Sequence, residues 1–496
     1  MTEATSEPRA SAASPPSAFD VARRVLLRVE AGAYASLALS GELERARLDD
    51  SARGLCTELV YGSLRKQARI DQILAGLTPR GLSGLDTQAR VLLRLGAYQL
   101  LHTRVSPVRA VNQVVTTLRT LRGPGLAGFA NALLRRLARE GAPALPPLPP
   151  DASPAAVAAA LAQQHGLPPF LLADLLPLLG RDGATALCAA LDTPAPTWLR
   201  LNPLRGSYAE ALDALRREGA VLFEPETGDA SAGEALLRDS LPEAVRLLSG
   251  HPFAGAAYRR GLFTAQDLGA QLVTRLLLAD SEEGALRLPD GPLLDACCGT
   301  GGKATHLAAL LSEAGLSGRR IDAADQSARK LELCHEHLAR LGCRDVHPRR
   351  VDLMQPEAIS SQLSPSYAAI LLDAPCSGSG VLRRHPEARS RLSRDGVIAL
   401  AETQRRILEA LLPRLAPGGV LVYAVCSPLP SEGAELLSSI LATHPELRPL
   451  PPSSGPLWSS LRRPPLSGIH TWPHEHNADA FFALRLMRIP SSQTSQ

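Results

Sequence analysis

The chain has 496 residues, 45% of them hydrophobic, and a formal net charge of +4. That length exceeds one ordinary domain and predicts two to four. No apolar run approaches the ~20 residues that span a bilayer, the N-terminus carries no apolar signal-peptide core, and eight cysteines are too sparse for a disulfide scaffold. A cytoplasmic monomer with free thiols and no membrane partner is expected.

Residues 1–16 are polar and rich in Ser, Ala and Pro, and are expected to form a disordered tail. Residues 17–141 read as all-helical. Apolar positions recur at helical spacing over 21–29 and 89–101, Ser106-Pro107 starts a further helix, and 129–137 closes the set. This region holds 19 Lys/Arg against 10 Asp/Glu, and positions 101–142 hold seven Arg and one acid. Such a concentration suits a phosphate backbone, and equally a solvated helical face. A proline-rich linker, 142–154, should be extended and semi-rigid.

Residues 155–191 look helical again. A strand over 197–202, a helix over 208–218 and a strand near 221–223 suggest a small α+β module, 155–258. From 259 to 490 strands and helices alternate: strand 292–295, helix 303–312, strand 320–325, helix 328–341, strand 368–373, helix 398–415 and strand 420–424. This alternation predicts a doubly wound parallel sheet.

Chemistry-bearing residues fall at the strand ends, which line the ligand crevice of an open α/β sheet. The run Asp295-Ala296-Cys297-Cys298-Gly299-Thr300-Gly301-Gly302-Lys303 passes from strand through glycine loop into helix. A magnesium–phosphate loop is disfavoured, because Cys297 replaces its first Gly and Ala304 its Ser/Thr; a dinucleotide fingerprint lacks its last glycine. An S-adenosylmethionine loop needs no phosphate cradle. Asp325, ending the second strand, suits ribose hydroxyls, and Asp352, after Arg349-Arg350-Val351, is placed to reach adenine; each also reads as a loop acid capping a helix. Asp373-Ala374-Pro375-Cys376 and Val425-Cys426-Ser427 each set a cysteine at a strand end. Two thiols facing one crevice raise covalent catalysis, against the alternative of two buried apolar cysteines. Neither the cysteines nor His335-Glu336-His337 has metal-ligand spacing, so no metal is expected.

Together these segments resemble the Sun-type (nucleolar-protein/Sun) family of RNA cytosine-5 methyltransferases over nearly the whole chain. The resemblance rests above all on the motif from Leu371 through Cys376-Ser377-Gly378-Ser379-Gly380 to Pro386. It is supported by the segment 261–272, by Trp472-Pro473-His474, and by Asp479-Ala480-Phe481-Phe482. The segments 59–65, 93–100, 110–115 and 129–135 match the family's NusB-like bundle. The implied architecture is multidomain: an α-helical NusB-like RNA-binding bundle, a small α+β RNA-binding module and an α/β Rossmann-like, S-adenosylmethionine-dependent methyltransferase domain.

The resemblance assigns Cys426 as nucleophile and Cys376 to product release. Asp373 would stabilise the protonated base and lie near the cofactor, and Lys303 would orient Asp373. Cys297, Cys298, Gly299, Thr300, Gly301, Gly302, Lys303, Asp325, Asp352 and Asp373 would bind S-adenosylmethionine. Arg383, Arg384 and His385, followed by Arg389, Arg391 and Arg394, are expected to form an RNA backbone track, and Trp198 and Asn202 to be either RNA contacts or core. The implied partner is RNA, foremost small-subunit ribosomal RNA. A transfer-RNA methyltransferase and a non-catalytic RNA-binding assembly factor are the alternatives. The departures are the loop Cys298-Gly299-Thr300 where the family has Ala-Ala-Pro, Val425 where it has Thr, and Pro430-Ser431-Glu432-Gly433 where it has Pro-Glu-Glu-Asn.

Overall fold

The computed structural model describes residues 16–78, 81–82, 84–144, 147–223 and 240–490. The expected tail, 1–16, lies outside these except for its last residue. The chain divides into two units: one takes residues up to Ser153 with Ala160–Leu167 and His385–Ser390, and the other takes Pro154–Ala159, Pro168–Arg384 and the chain from Arg391 onward.

The first unit packs α1 (Ala18–Glu30), α2 (Ala35–Ala46), α3 (Asp50–Arg65), α4 (Gln67–Gly76), α5 (Thr87–His102), α6 (Pro107–Arg122) and α7 (Pro124–Glu140). Local chemistry sets the starts. Ser17 and Asp20 form a reciprocal capping box on α1, and Ser106 caps α6 with Pro107 in its first turn. The buried stripe of α5, from Ala89 to Tyr98, joins Val21, Val25, Leu59, Val114 and Leu134 in one apolar core. Arg94 ties α5 to α1 and α4 through Glu30 at 2.8 Å and Asp71 at 2.7 Å. Gly62 of α3 lies against the Tyr98 ring, and a Cβ there would stand 2.0 Å from the hydroxyl oxygen.

Helix α8 (Pro154–His165) is divided between the two units, and in the second unit α9 (Pro169–Leu191), broken at Gly180, precedes a four-stranded antiparallel sheet. Its order is β2 (Val221–Leu222), β3 (Ala244–Ser249), β1 (Thr197–Leu201), β4 (Phe263–Ala265), with α10 (Tyr208–Arg217) beside it. The sheet therefore runs past the expected boundary at 258: β4 pairs with β1 and is not part of the large sheet. The module is bound to the Rossmann-like region by buried polar groups. Arg200 donates to the Gly302 carbonyl at 2.7 Å and to Thr305 Oγ1 at 2.8 Å. Asn202 donates to the carbonyls of Gly261 and Leu341, and the Trp198 indole donates to the Asn477 carbonyl. Trp198 and Asn202 are thus core residues, 6% and 2% exposed.

The large sheet follows α11 (Leu268–Leu278). It contains β5 (Leu293–Ala296), β6 (Ile321–Asp325), β7 (Val346–Arg350), β8 (Tyr367–Asp373), β9 (Leu415–Val425), β10 (Leu447–Pro449), β11 (Arg462–Arg463), β12 (Gly468–Thr471) and β13 (Phe481–Arg488). Helices α12 (Gly302–Glu313), α13 (Ala328–Leu341), α14 (Pro356–Gln362), α15 (Arg394–Leu411) and α16 (Ala434–Thr443) connect its strands. The spatial order is β11-β12-β13-β9-β8-β5-β6-β7, with β10 on β13. β5 to β9 are mutually parallel, whereas β10 to β13 pair antiparallel. The expected doubly wound parallel sheet is formed by β5 to β9, and the antiparallel strands β10 to β13 extend it into a mixed sheet. The strand order reverses between β5 and β8, the topological switch point where such sheets bind ligands.

Gly62→Ala should lower the denaturant midpoint by an amount equivalent to about 1–3 kcal/mol, because the hydroxyl of Tyr98 is already bonded to Glu58 and its buried ring cannot withdraw. An unchanged midpoint would contradict this packing.

Candidate active site

A cavity of about 660 Å³ opens at the carboxyl ends of β5 to β9. Its wall includes Asp295, Cys297, Cys298, Gly299, Thr300, Gly302 and Lys303 from the glycine loop. Asp325, Asp352, Asp373, Cys376 and Cys426 complete it from the following strand ends. Of the loop residues expected to bind a cofactor, Gly301 alone is missing from the wall. It turns into α12 at φ 81°, and a Cβ on it would lie 2.6 Å from Cys334 Sγ, so its glycine serves the turn and the helix packing. Cys297 holds φ 64°, an uncommon conformation for a side chain with a Cβ, at the point where the loop leaves β5.

The strand-end acids are held in different ways. Asp325 accepts from the Gly299 amide at 3.0 Å and the Ser327 amide at 2.8 Å, joining loop to helix. Asp352 accepts from the Met354 amide at 3.0 Å. Lys303 Nζ meets Asp373 Oδ2 at 2.5 Å. Burial pushes the Lys303 ammonium down, but Asp373, and behind it Asp295 and Cys426, outweigh this and raise its pKa. Asp295 is fully buried and no side chain hydrogen-bonds to its carboxylate oxygens. Burial, with the nearby Asp373 and Asp325 charges opposing Lys303, pushes its pKa up to about 7.

Strands β8 and β9 pair in parallel register, Leu372 beside Tyr423 and Asp373 beside Ala424. Both chains then turn into the cavity, bringing Cys376 Sγ to 3.3 Å from Cys426 Sγ. The turns are locked by backbone. The Ala374 amide donates to the Ala424 carbonyl at 2.9 Å, and the Gly380 amide to the Cys426 carbonyl at 3.0 Å. A Cβ on Gly380 would stand 2.0 Å from the Ala480 carbonyl oxygen, which explains glycine at the end of Cys376-Ser-Gly-Ser-Gly380. The hydrogen bond to Cys426, followed by burial, raises the Cys376 pKa well above that of an ordinary thiol.

The arginines after Cys376 do not form one exposed track. Arg383 is buried and donates to Thr193 and to Asn477 Oδ1. Arg384 is clamped between Asp267 at 2.6 Å and Asp479 at 2.7 Å. Arg389 is buried and caps the carbonyls of Arg65 and His165. Buried acids and carbonyls within the fold outcompete solvent for these guanidiniums. His385 is partly exposed, with Nδ1 3.7 Å from Glu387. Arg391 is exposed, and Arg394 pairs with Asp174 at 2.8 Å.

The family model described as 16S rRNA methyltransferase RsmB/F matches residues 285–487, and the NusB family model matches 17–139. The ribosomal RNA small subunit methyltransferase B of Pseudomonas putida is 33% identical, over 95% of this chain and 98% of its own length. The probable ribosomal RNA small subunit methyltransferase B of Bacillus subtilis is 31% identical, over 93% and 97%. The chain belongs to the RsmB/F methyltransferase family. Its fold is shared with the crystal structure of PH0851, at TM-score 0.72 and 21% identity over 96% of this chain and 99% of that one. A methyltransferase homolog protein from Pyrococcus horikoshii aligns at TM-score 0.52 and 22% identity, over 69% of this chain and all of that one.

Sequence reasoning passed over Asp295, Gln404 and Tyr423, and left Glu432 as a loop residue. Asp295 was visible as the one acid inside the apolar strand that feeds the glycine loop. Gln404 and Tyr423 sit in ordinary helix and strand patterns, and only the packing of α15 on β9 brings them to the site. The raised pKa of Asp295 makes folding take up a proton: its contribution is most favourable below the ordinary value of 3.8 and fades as pH rises towards 7. Asp295→Asn should therefore flatten the fall in melting temperature between about pH 5 and 8 and be the more stable form at pH 8. Parallel melting curves for the two proteins would contradict the buried, proton-binding carboxyl.

Proposed function

We propose that the protein transfers a methyl group from S-adenosylmethionine to C5 of a cytosine in RNA, through a covalent bond between Cys426 and C6 of the base. The observation that carries this reading is the pair of thiols 3.3 Å apart in the strand-end cavity. The residues present fit such a cofactor: Asp295, Asp325 and Asp352, in or just after β5, β6 and β7, line the cavity, and the buried carboxyl of Asp295, with no side-chain partner, is a ready acceptor for a cationic or polar group. When bound, the cofactor supplies an electrophilic methyl on sulfonium.

The chain's own residues do the rest. C5 of cytosine is a poor nucleophile, and addition of the Cys426 thiolate to C6 gives it enamine character. Asp373, fixed by Lys303, supports the protonated N3. After methyl transfer the proton on C5 leaves to a base, the S–C6 bond breaks, and Cys376 assists this release. A base reaches the thiols only when unstacked from its neighbours. Arg104, Arg109, Arg119 and Arg135, exposed on the helical bundle, supply charge for the RNA backbone. The names of the curated relatives support small-subunit ribosomal RNA as the substrate class, and the enzyme acts in the cytoplasm as a monomer.

Incubation with radiolabelled S-adenosylmethionine and small-subunit RNA should label cytosine C5. Cys426→Ala should abolish labelling, and Cys376→Ala should accumulate an RNA–protein adduct on denaturing gels. Full activity of Cys426→Ala would overturn the covalent mechanism.

A further inference from the structure

The strand-end cysteines are each followed by a serine, and one buried carboxylate gathers both. Glu432 is fully buried. It accepts from the Ser377 amide at 2.7 Å, Ser377 Oγ at 2.5 Å, Ser427 Oγ at 2.6 Å and Gln404 Nε2 at 3.0 Å. Gln404 also donates to the Pro375 carbonyl at 2.9 Å, and Tyr423 donates its one hydroxyl proton to the Glu432 carbonyl at 2.6 Å, with Gln404 Oε1 3.0 Å from the same hydroxyl. Ser379 and Ser427 close the ring, with hydroxyls 2.8 Å apart. A buried carboxylate survives only when its lone pairs are filled, and charge-assisted bonds of this kind are about twice as strong as neutral ones. All four donors sit on segments that carry or touch the cysteine loops.

We propose that Glu432 is a positioning residue that holds the two sulfurs at their working separation and makes them chemically unequal. This rests on the reading of Cys426 and Cys376 as the reacting pair. The strap joins the residue after Cys376 to the residue after Cys426, so neither thiol can drift without breaking bonds to a buried charge. The inequality follows from placement. Cys376 Sγ lies 3.3 Å from Cys426 Sγ, and the amide and hydroxyl of the next residue, Ser377, both bond to the Glu432 carboxylate, which takes one bond, from the Ser427 hydroxyl, on the Cys426 side. The hydrogen bond to Cys426, burial and the Glu432 charge all oppose a thiolate at Cys376, relieved only by the Gly378 amide. Cys376 therefore gives up its proton less readily than an ordinary thiol.

The test is alkylation by iodoacetamide across a pH series, read at the Cys376 peptide by mass spectrometry, in the full-length protein and in Glu432→Gln and Glu432→Asp. Glu432→Gln removes the charge, and the Cys376 inflection should move to lower pH. Glu432→Asp keeps the charge but is too short to reach both serines. Its Cys376 inflection should lie above that of Glu432→Gln, while kcat for methyl transfer falls on the order of 10- to 100-fold with KM for S-adenosylmethionine within about 2-fold, as expected from slight misplacement of reacting groups. A wild-type Cys376 profile in folded Glu432→Gln, or a wild-type kcat in Glu432→Asp, would overturn the proposal. Absence of methyl transfer by the unaltered protein would instead overturn the functional reading, because the alkylation profile does not depend on the substrate.

Discussion

The parallel pairing of β8 with β9 is the constraint on which the site depends. Five consecutive residue pairs in register, from Ala369 and Val420 to Asp373 and Ala424, carry both strands to the same edge of the sheet, where the backbone bonds of Ala374 and Gly380 turn the chains inward. Thiols fifty positions apart in sequence end 3.3 Å apart. A slip of one residue along either strand would reverse which face each side chain takes and separate the sulfurs. The apolar strands that flank this pair, with Ile370, Leu372, Leu421 and Tyr423 buried in one core, make such a slip costly.

Around this pairing the fold distributes charge by strand. Asp295 within β5, Asp325 ending β6 and Asp352 just beyond β7 bring acids to the cavity, and Lys303 returns from the glycine loop to meet Asp373. Arg200 reaches from the small sheet to the start of α12 and fixes the loop from behind. The antiparallel strands β12 and β13 also contribute: the Ala480 amide donates to the Gly380 carbonyl, so the far edge of the sheet braces the Cys376 loop. Rigidity at the thiols is thus assembled from elements spread between residues 200 and 480, which suits a reaction that needs sub-ångström placement of two sulfurs and a base.

Much of this was legible in the sequence. Helix 328–341 was read with its observed ends, and the strand ends at Asp325, Asp373 and Cys426 fell where the cavity is. What the sequence could not carry was partnership across distance. Arg383 and Arg384 follow the cysteine motif and look like an RNA track, but Asp267 and Asp479, far away along the chain, claim Arg384. The segment 261–272 falls within the expected methyltransferase domain, 259–490, yet its strand β4 pairs with β1 of the small sheet. Helix α15 starts at Arg394, four residues before its apolar pattern begins, because Ser393 caps it. Glu432 sits in a polar loop, and only the folded arrangement shows four donors converging on it.

The account stands on Cys426 forming the bond to the base. RNA carrying 5-fluorocytosine offers a direct measurement, since fluorine at C5 leaves no proton to remove and holds the adduct in place. Incubation with the protein and S-adenosylmethionine, digestion and mass spectrometry should find the modified nucleotide on the peptide containing Cys426. A nucleotide on the Cys376 peptide, or no adduct at all alongside undiminished methylation of unmodified RNA, would contradict it.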